Sequence, residues 1–181
     1  MIPRIPLSPL YTLAREQWVP GGLDEIFRFF EDPRNLGELT PPWLAFEIRA
    51  MSTPSVQTGT IITYRVRWMG LPMEWITLIE RWEPPRCFVD TALKSPYAFW
   101  HHEHTFEPAS GGVILRDRVS YRMPFGPIGS LARLLIVRRQ LEGIFDYRAS
   151  VIARRFSGGT IHRAPPASAA SAAASNSSDE V

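Results

Sequence analysis

Residues 97–123 read YAFWHHEHTFEPASGGVILRDRVSYRM, two runs of alternating side chains joined by a turn at residues 108–111. A period of two is typical of β-strands that bury one face, because successive side chains of a strand point to opposite sides. The turn contains Pro108 and Gly111, residue types that favour a reversal of the chain. The stretch therefore predicts an antiparallel β-hairpin with one inward face.

The inward face of this hairpin mixes aromatic rings, imidazoles and one carboxylate. Its members are Trp100, His102, His104 and Phe106 on the first strand, and Val113, Leu115, Asp117, Val119 and Tyr121 on the second. If the turn has four residues, His102 lies directly across from Asp117, and a register shifted by two residues places Trp100 or His104 there instead. In each of these registers Asp117 lies on the inward face, close to an imidazole.

The sequence leaves three roles open for the histidines and the carboxylate. A buried carboxylate is costly unless it is paired, so Asp117 and one histidine can form a structural polar pair. They can also orient the polar group of a ligand, or act as general acid and base. Neither Ser120 nor Cys87 has the spacing of an activated nucleophile, so we predict no catalytic residue.

The same residues raise the question of a metal site. His102 and His104 place two imidazoles on one side of the strand, and Asp117 would add a third ligand. However, the His-x-His pattern is common by chance, and the neighbouring Trp100 and Phe106 fit an apolar pocket equally well. We therefore predict neither a metal nor another cofactor.

The rest of the chain predicts further strands and two short helices. A first strand at residues 11–19 precedes the helices, and the other strands are predicted at 44–51, 59–69, 73–83, 86–93, 97–107 and 113–123. In the hairpin at 59–83, a turn at 69–72 places Trp68 opposite Met73. Tyr64 and Trp75 then lie on the inward face.

From about residue 128 to residue 156 the apolar residues recur at helical spacing. They form one stripe, which consists of Leu131, Leu134, Leu135, Leu141, Ile144, Phe145, Val151 and Ile152. A helix of this length spans roughly 40 Å, enough to cross a sheet. Arg148 lies among the apolar positions and is a candidate partner for Asp117 or for an anionic ligand group. The order of elements predicts an α+β fold, a curved antiparallel sheet of seven strands around a C-terminal helix.

The composition favours one soluble globular domain at residues 11–156. The chain has 181 residues, of which 45% are hydrophobic, and a net charge of +2 without a dense Lys/Arg run, which argues against nucleic-acid binding. Cys87 is the single cysteine, so we expect no disulfide and a cytoplasmic location. No apolar run reaches the roughly 20 residues of a membrane-spanning helix. Residues 1–10 form a Pro-rich extension, and the Ala/Ser-rich tail at 157–181 is predicted to be disordered.

Five stretches of the chain together resemble the SRPBCC superfamily, the START/Bet v 1-like proteins with a helix-grip fold. They are residues 27–36 (FRFFEDPRNL), 39–44 (LTPPWL), 100–106 (WHHEHTF), 117–121 (DRVSY) and 144–148 (IFDYR). Their joint order is specific for the superfamily, and the resemblance covers about residues 11–156. The chain is most similar to the bacterial branch of polyketide cyclase/dehydrase or coenzyme Q-binding-like proteins.

The resemblance implies a deep apolar cavity between the sheet and the C-terminal helix, occupied by a lipid, a quinone or a polyketide-like compound. We therefore expect a protein that binds a hydrophobic small molecule. The alternative is a cyclase or dehydratase that uses the histidines and the carboxylate for acid–base catalysis of a polyketide-like substrate. The candidate ligand-binding residues are Tyr64, Trp75, Trp100, His102, His104, Phe106, Asp117, Tyr121 and Arg148. The sequence identifies no protein partner.

Overall fold

The computed structural model describes residues 9–156 and 160–162. Its strands are β1 (Leu10–Pro20), β2 (Glu47–Met51), β3 (Ile61–Trp68), β4 (Leu71–Glu83), β5 (Cys87–Lys94), β6 (Phe99–Ala109), β7 (Gly112–Arg122) and β8 (Thr160–His162). They form one antiparallel sheet with the order β2-β3-β4-β5-β6-β7-β1-β8. Strands β1 to β7 are the predicted ones, so the seven-stranded antiparallel sheet is confirmed.

The helices occupy the predicted places in the chain. Helices α1 (Leu23–Glu31) and α2 (Leu36–Leu39) follow β1, while α3 (Gly126–Ala132) and α4 (Arg138–Arg155) follow β7. Between α1 and α2, the Asp32 carboxylate accepts a hydrogen bond from the backbone N–H of Arg34 at 3.0 Å, which caps the start of the second helical segment. A π-helical turn joins α3 to α4, so the chain is helical from Gly126 to Arg155 and the long C-terminal helix is confirmed.

Two apolar clusters cover the inner face of the sheet. The first contains Phe27 of α1, Phe106 of β6 and Ile152 of α4. The second contains Tyr121 of β7 and Leu141 of α4. A fully buried side chain of this size contributes about 1.5–3 kcal/mol to folding. Since α4 supplies residues to both clusters, it is fixed against the sheet at two separate places.

The hairpin of β3 and β4 turns more tightly than predicted. Its turn consists of Met69 and Gly70, whose φ angles are 49° and 83°, and two residues with positive φ are typical of a type I′ turn. Trp68 therefore lies opposite Leu71, and the predicted pairing with Met73 is wrong by two residues.

The hairpin of β6 and β7 differs from the prediction in the same way. At the turn both strands extend further than predicted, and only Ser110 and Gly111 connect them. His104 therefore lies opposite Asp117, so the four-residue turn that pairs His102 with Asp117 is wrong, and the register shifted by two residues is the one that forms. A shift of two residues preserves the facing of every side chain, and Asp117 lies on the inward face as predicted.

Two boundaries differ from the expectation. Strand β2 begins at Glu47 because Pro42–Leu44 forms a 3-10 turn, and Ala45 after it has a φ of 44°. Thr160–His162 pairs with the outer edge of β1, which offers free backbone groups, and forms a short strand that the sequence analysis did not predict. The rest of the predicted tail and residues 1–8 of the predicted N-terminal extension lie outside the described residues.

The apolar stripe of the C-terminal helix is buried only along α4. Leu141 and Ile152 are buried, whereas three leucines of the N-terminal part are 57–66% exposed, namely Leu131, Leu134 and Leu135. The π-helical turn at Arg133–Val137 rotates the residues before it relative to α4, so the prediction of one continuous buried stripe is wrong there. In the described part of the chain, no helix combines the length and the apolar character required to cross a membrane.

Candidate functional site

A cavity of about 220 Å³ lies between the inner face of the sheet and the C-terminal helix. Its walls come from β3 to β6 on the sheet side and from α1, α2 and α4 on the other. Six of the nine predicted site residues line it: Tyr64, Trp75, Trp100, His102, His104 and Arg148. The structure therefore brings most of the candidate residues to one cavity.

The polar part of the wall is centred on β6. Asp90 of β5 lies opposite His102, and Asp117 of β7 lies opposite His104. Because directly opposed residues of antiparallel strands share a face, the strand register gathers two carboxylates around two imidazoles. We call Asp90, His102, His104 and Asp117 the His–Asp cluster.

Each carboxylate of the His–Asp cluster contacts both imidazoles through one oxygen atom. Asp117 Oδ1 lies 2.6 Å from His104 Nδ1 and 3.2 Å from His102 Nε2. Asp90 Oδ2 lies 3.3 Å from His104 Nε2 and 3.5 Å from His102 Nδ1. The centroids of the two rings are 3.7 Å apart. Both nitrogens of each imidazole therefore face a carboxylate oxygen.

Arg148 brings a positive charge from α4 to the His–Asp cluster. Its Nη2 atom lies 3.4 Å from Asp117 Oδ1 and 3.2 Å from His104 Nδ1. The predicted contact between Arg148 and Asp117 is therefore present. The Nε atom of Arg148 is buried, and no acceptor among the described residues reaches it. This N–H group is a free donor inside the protein.

The electrostatic environment keeps both carboxylates ionised. Burial raises the pKa of Asp117, but the charge of Arg148 and the contacts with both imidazoles outweigh burial and hold that pKa well below its ordinary value. Burial likewise raises the pKa of Asp90, but its contacts with His104 and His102 and the charge of Arg148 outweigh burial, so this pKa is also lowered. Burial and the neighbouring His104 lower the pKa of His102 to about 4, so this imidazole is neutral at pH 7.

Aromatic rings hold the two imidazoles in place. The ring of Phe88 stacks on His104 with centroids 4.0 Å apart, and Phe145 of α4 meets His102 edge-on at 5.5 Å. Ring pairs at such distances add about 0.5–1.5 kcal/mol to the energy of burial. The orientation of both imidazoles is therefore fixed by packing as well as by the carboxylates.

A second group of rings forms the wall on β3 and β4. The Tyr64 hydroxyl and Trp75 Nε1 both hydrogen-bond to Thr77 Oγ1, the latter at 3.1 Å. Trp75 also meets Trp100 edge-on with centroids 5.2 Å apart. Burial raises the pKa of Tyr64, so its hydroxyl stays protonated at pH 7. The polar atoms of Tyr64 and Trp75 are satisfied within the protein, and the wall presents mainly aromatic surface to the cavity.

Three of the predicted site residues lie outside this lining. Phe106 and Tyr121 belong to the two core clusters, because the inward face of β6 and β7 extends beyond both ends of the cavity. The Tyr121 hydroxyl accepts a hydrogen bond from Arg133 Nε at 3.2 Å. Asp117 contributes instead to a second cavity of about 180 Å³ between β1, β7 and α4. It contacts the first cavity only through the histidines and Arg148.

Asp90 is the member of the site that the sequence interpretation missed. It lies on β5, where Phe88 and Asp90 share the inward face. Asp117 was predicted because it is a single carboxylate on the apolar face of a strand. Asp90 shows the same pattern on β5 and could have been predicted in the same way.

Neither a family model nor a curated protein matches this chain in sequence. Solved structures do match it. The di-domain ARO/CYC protein StfQ from the steffimycin biosynthetic pathway is 14% identical, with a TM-score of 0.63 over 82% of this chain and 50% of that chain. Truncated norcoclaurine synthase from Thalictrum flavum is 13% identical, with a TM-score of 0.60 over 83% and 96% of the two chains. TTHA0849 from Thermus thermophilus is 16% identical, with a TM-score of 0.58 over 82% and 97%.

The fold and the cavity together define the class of protein. The chain has the helix-grip fold of these solved structures, a curved antiparallel sheet around a long C-terminal helix, as the sequence predicted. At these identities the comparisons show the fold alone. The ligand and the chemistry have to be inferred from the site.

Proposed function

We propose that this protein binds a hydrophobic small molecule in the cavity between the sheet and α4. The observation that carries the proposal is an aromatic-lined cavity whose wall brings together Asp90, His102, His104 and Arg148. Ligand sites commonly combine a mostly apolar lining with a few convergent polar groups. The apolar walls supply affinity, and the polar group fixes the orientation of the ligand.

The size of the cavity narrows the class of ligand. An engineered apolar cavity of about 150 Å³ binds benzene, whereas drug-sized ligands occupy about 300–1,000 Å³. The volume here is about 220 Å³. A compound of one or two rings, such as a quinone head group or a short polyketide-like aromatic, fits this space.

The polar atoms on the wall specify what the ligand carries. Arg148 lines the cavity, and a guanidinium group donates hydrogen bonds to a carbonyl or phenolate oxygen. His102 is neutral at pH 7 and both donates and accepts a hydrogen bond. We therefore infer a ring compound with a carbonyl or hydroxyl group at one end.

Two neighbouring isoleucines provide the test. Ile62 is 5% exposed and lines the cavity, whereas Ile61 is 38% exposed on the other face of β3. We expect Ile62→Trp to fill the cavity and weaken binding of a naphthoquinone at least about tenfold. Isothermal titration calorimetry measures the affinity, and native mass spectrometry of the purified chain identifies any ligand that is retained.

Ile61→Trp is the matched control, because it adds the same side chain on the outward face. It should bind the naphthoquinone like the wild type, and thermal unfolding checks that both variants are folded. Equal affinity in the wild type and in a folded Ile62→Trp would place binding elsewhere and contradict the proposal.

A cyclase or dehydratase is the second candidate. It is favoured by a neutral histidine on the cavity wall, since a neutral imidazole such as His102 carries one lone pair that can accept a proton. StfQ and norcoclaurine synthase share the fold, but their low identity does not transfer their activities. Product formation from a polyketide-like aromatic that falls in His102→Ala, with binding retained, distinguishes the enzyme from a binding protein.

A further inference from the structure

The hydrogen-bonding capacity of the two imidazoles does not match their surroundings. A neutral imidazole has one N–H group and one lone pair, yet each ring of the His–Asp cluster faces a carboxylate at both nitrogens. Asp117 is the closer carboxylate to both rings, at 2.6 Å and 3.2 Å, and it therefore accepts both N–H groups. The lone pairs of His104 Nε2 and His102 Nδ1 then point towards Asp90 Oδ2.

We propose that Asp90, His102 and His104 bind a divalent transition-metal ion of the zinc type. Asp90 Oδ2 lies 3.3 Å and 3.5 Å from the two lone-pair nitrogens, longer than an ordinary N–H···O bond. A tetrahedral site with metal bonds of about 2.0–2.2 Å separates its ligand atoms by about 3.3–3.5 Å. One ligand atom from each of the three residues lies within 4.8 Å of the other two. The two separations from Asp90 therefore match those of a tetrahedral site.

Asp117 completes the arrangement as an outer partner. Histidines that bind a metal usually donate the other ring N–H to a carboxylate, which fixes the tautomer and the orientation of the ring. Asp117 Oδ1 occupies that position for His102 and His104 at once. Arg148 in turn holds Asp117 at 3.4 Å. Both imidazoles are thus already oriented towards Asp90.

The balance of formal charge favours the same conclusion. Asp90 and Asp117 contribute two negative charges to a buried cluster. Among the residues that the structure describes, Arg148 is the one guanidinium or ammonium group within ion-pair distance of them. Two carboxylates and one guanidinium leave one negative charge unpaired, and buried charge without a partner is costly. A divalent cation would give Asp90 the cationic partner that Asp117 already has in Arg148.

The proposed ion has an open coordination position. Asp90, His102 and His104 are three ligands, and all of them line the larger cavity. Three protein ligands with a fourth, open position are typical of zinc sites that act on a bound molecule. The fourth position would take the carbonyl or hydroxyl oxygen of the ring compound. This last step rests on the proposed function, whereas metal binding itself does not.

The test uses the full chain without an affinity tag, treated with a chelator and then dialysed. Titration with Zn²⁺ is followed by calorimetry, and Co²⁺ is followed by its visible absorption. We expect one ion per chain and a higher melting temperature with Zn²⁺, since a ligand that binds the folded state stabilises it. If the wild type takes up neither ion and its melting temperature does not change, the proposal is overturned, whatever the variants do.

Variants assign the site. Asp90→Asn and His102→Ala should weaken Zn²⁺ binding at least about a hundredfold, and Asp117→Asn about 10–100-fold. His101→Ala is the matched control, because that neighbouring imidazole lies on the outward face near Glu80 and should be dispensable. Wild-type affinity in a folded Asp90→Asn, or an equal loss in His101→Ala, would overturn the assignment.

Titration of the chelated protein with a naphthoquinone separates this inference from the proposed function. Binding of the naphthoquinone without uptake of Zn²⁺ would overturn the metal site and leave the proposed function standing. Uptake of one Zn²⁺ without binding of any one- or two-ring compound would support the metal site and contradict the proposed function.

Discussion

At the scale of single residues, the buried pair of Asp117 and Arg148 links the sheet to α4. Both side chains are less than 10% exposed, and the charged groups are 3.4 Å apart. Removing one partner of a buried ion pair leaves an uncompensated charge and costs about 3–5 kcal/mol. We therefore predict that Arg148→Met lowers the free energy of unfolding by about 3–5 kcal/mol, as measured by urea denaturation.

A double variant separates the effect of charge from that of lost packing. Adding Asp117→Asn to Arg148→Met removes the carboxylate that the first substitution left unpaired. The double variant should therefore be more stable than Arg148→Met alone, although both lack the guanidinium. Additive losses would mean that the two charges are not coupled, and the prediction would be wrong.

The facing of a residue on a strand could be predicted from the sequence, but its partner across the sheet could not. Asp117, His102 and His104 were placed on one inward face because the period of two fixes which side each residue takes. The partner depends on the length of the turn, and a turn shorter by two residues moved Asp117 from His102 to His104. The set of residues in the site is still predicted correctly after such an error, because a register shift of two residues leaves every side chain on the same face of the sheet.

The position of Asp90 across the sheet could not be predicted from the sequence. Its position opposite His102 depends on the connection between β5 and β6, residues 95–98, which read SPYA. No turn type with a fixed length can be recognised in this segment, so the register of β5 could not be derived. The sequence therefore predicted one of the two carboxylates that flank the histidines, and the metal site could not be inferred without the other.

At the scale of elements, two leucines of the C-terminal helix with the same expected facing differ in burial. Leu134 and Leu141 are seven residues apart and would share a face in a regular α-helix. Leu134 is 62% exposed, whereas Leu141 is 3% exposed, because the π-helical turn at Arg133–Val137 changes the phase between them. The hydrophobic pattern carries no sign of this turn, and the predicted stripe was therefore continuous.

The two leucines predict opposite consequences of the same substitution. Leu141→Ala leaves a cavity in the core and should lower the free energy of unfolding by about 2–5 kcal/mol. Leu134→Ala should change it by less than about 0.5 kcal/mol, since surface substitutions rarely do more. Chemical denaturation of both variants measures the difference. Similar losses at the two positions would show that Leu134 is buried in solution.

At the scale of the whole molecule, the fold could be predicted because the order of elements permits few arrangements. Seven antiparallel strands followed by one long helix bury their apolar faces only against each other. The cavity follows from the same geometry: α4 contacts the sheet through the two core clusters and through Arg148, and space remains between sheet and helix beside these contacts. The size of that space depends on side-chain packing and could not be derived.

The stability of the molecule should be distributed unevenly along the C-terminal helix. Residues 126–136 expose Ile128, Leu135 and Ile136 by 76%, 66% and 46%, so little burial offsets the entropy cost of ordering them. We predict that their amides exchange at least about a hundredfold faster than those of residues 141–152, as measured by hydrogen–deuterium exchange with peptide mass spectrometry. The second half of the same helix is the internal control, because Leu141 and Ile152 are buried there. Equal protection of both halves would contradict this prediction. It would mean that the helix opens as one unit because the exposed apolar residues are covered in solution.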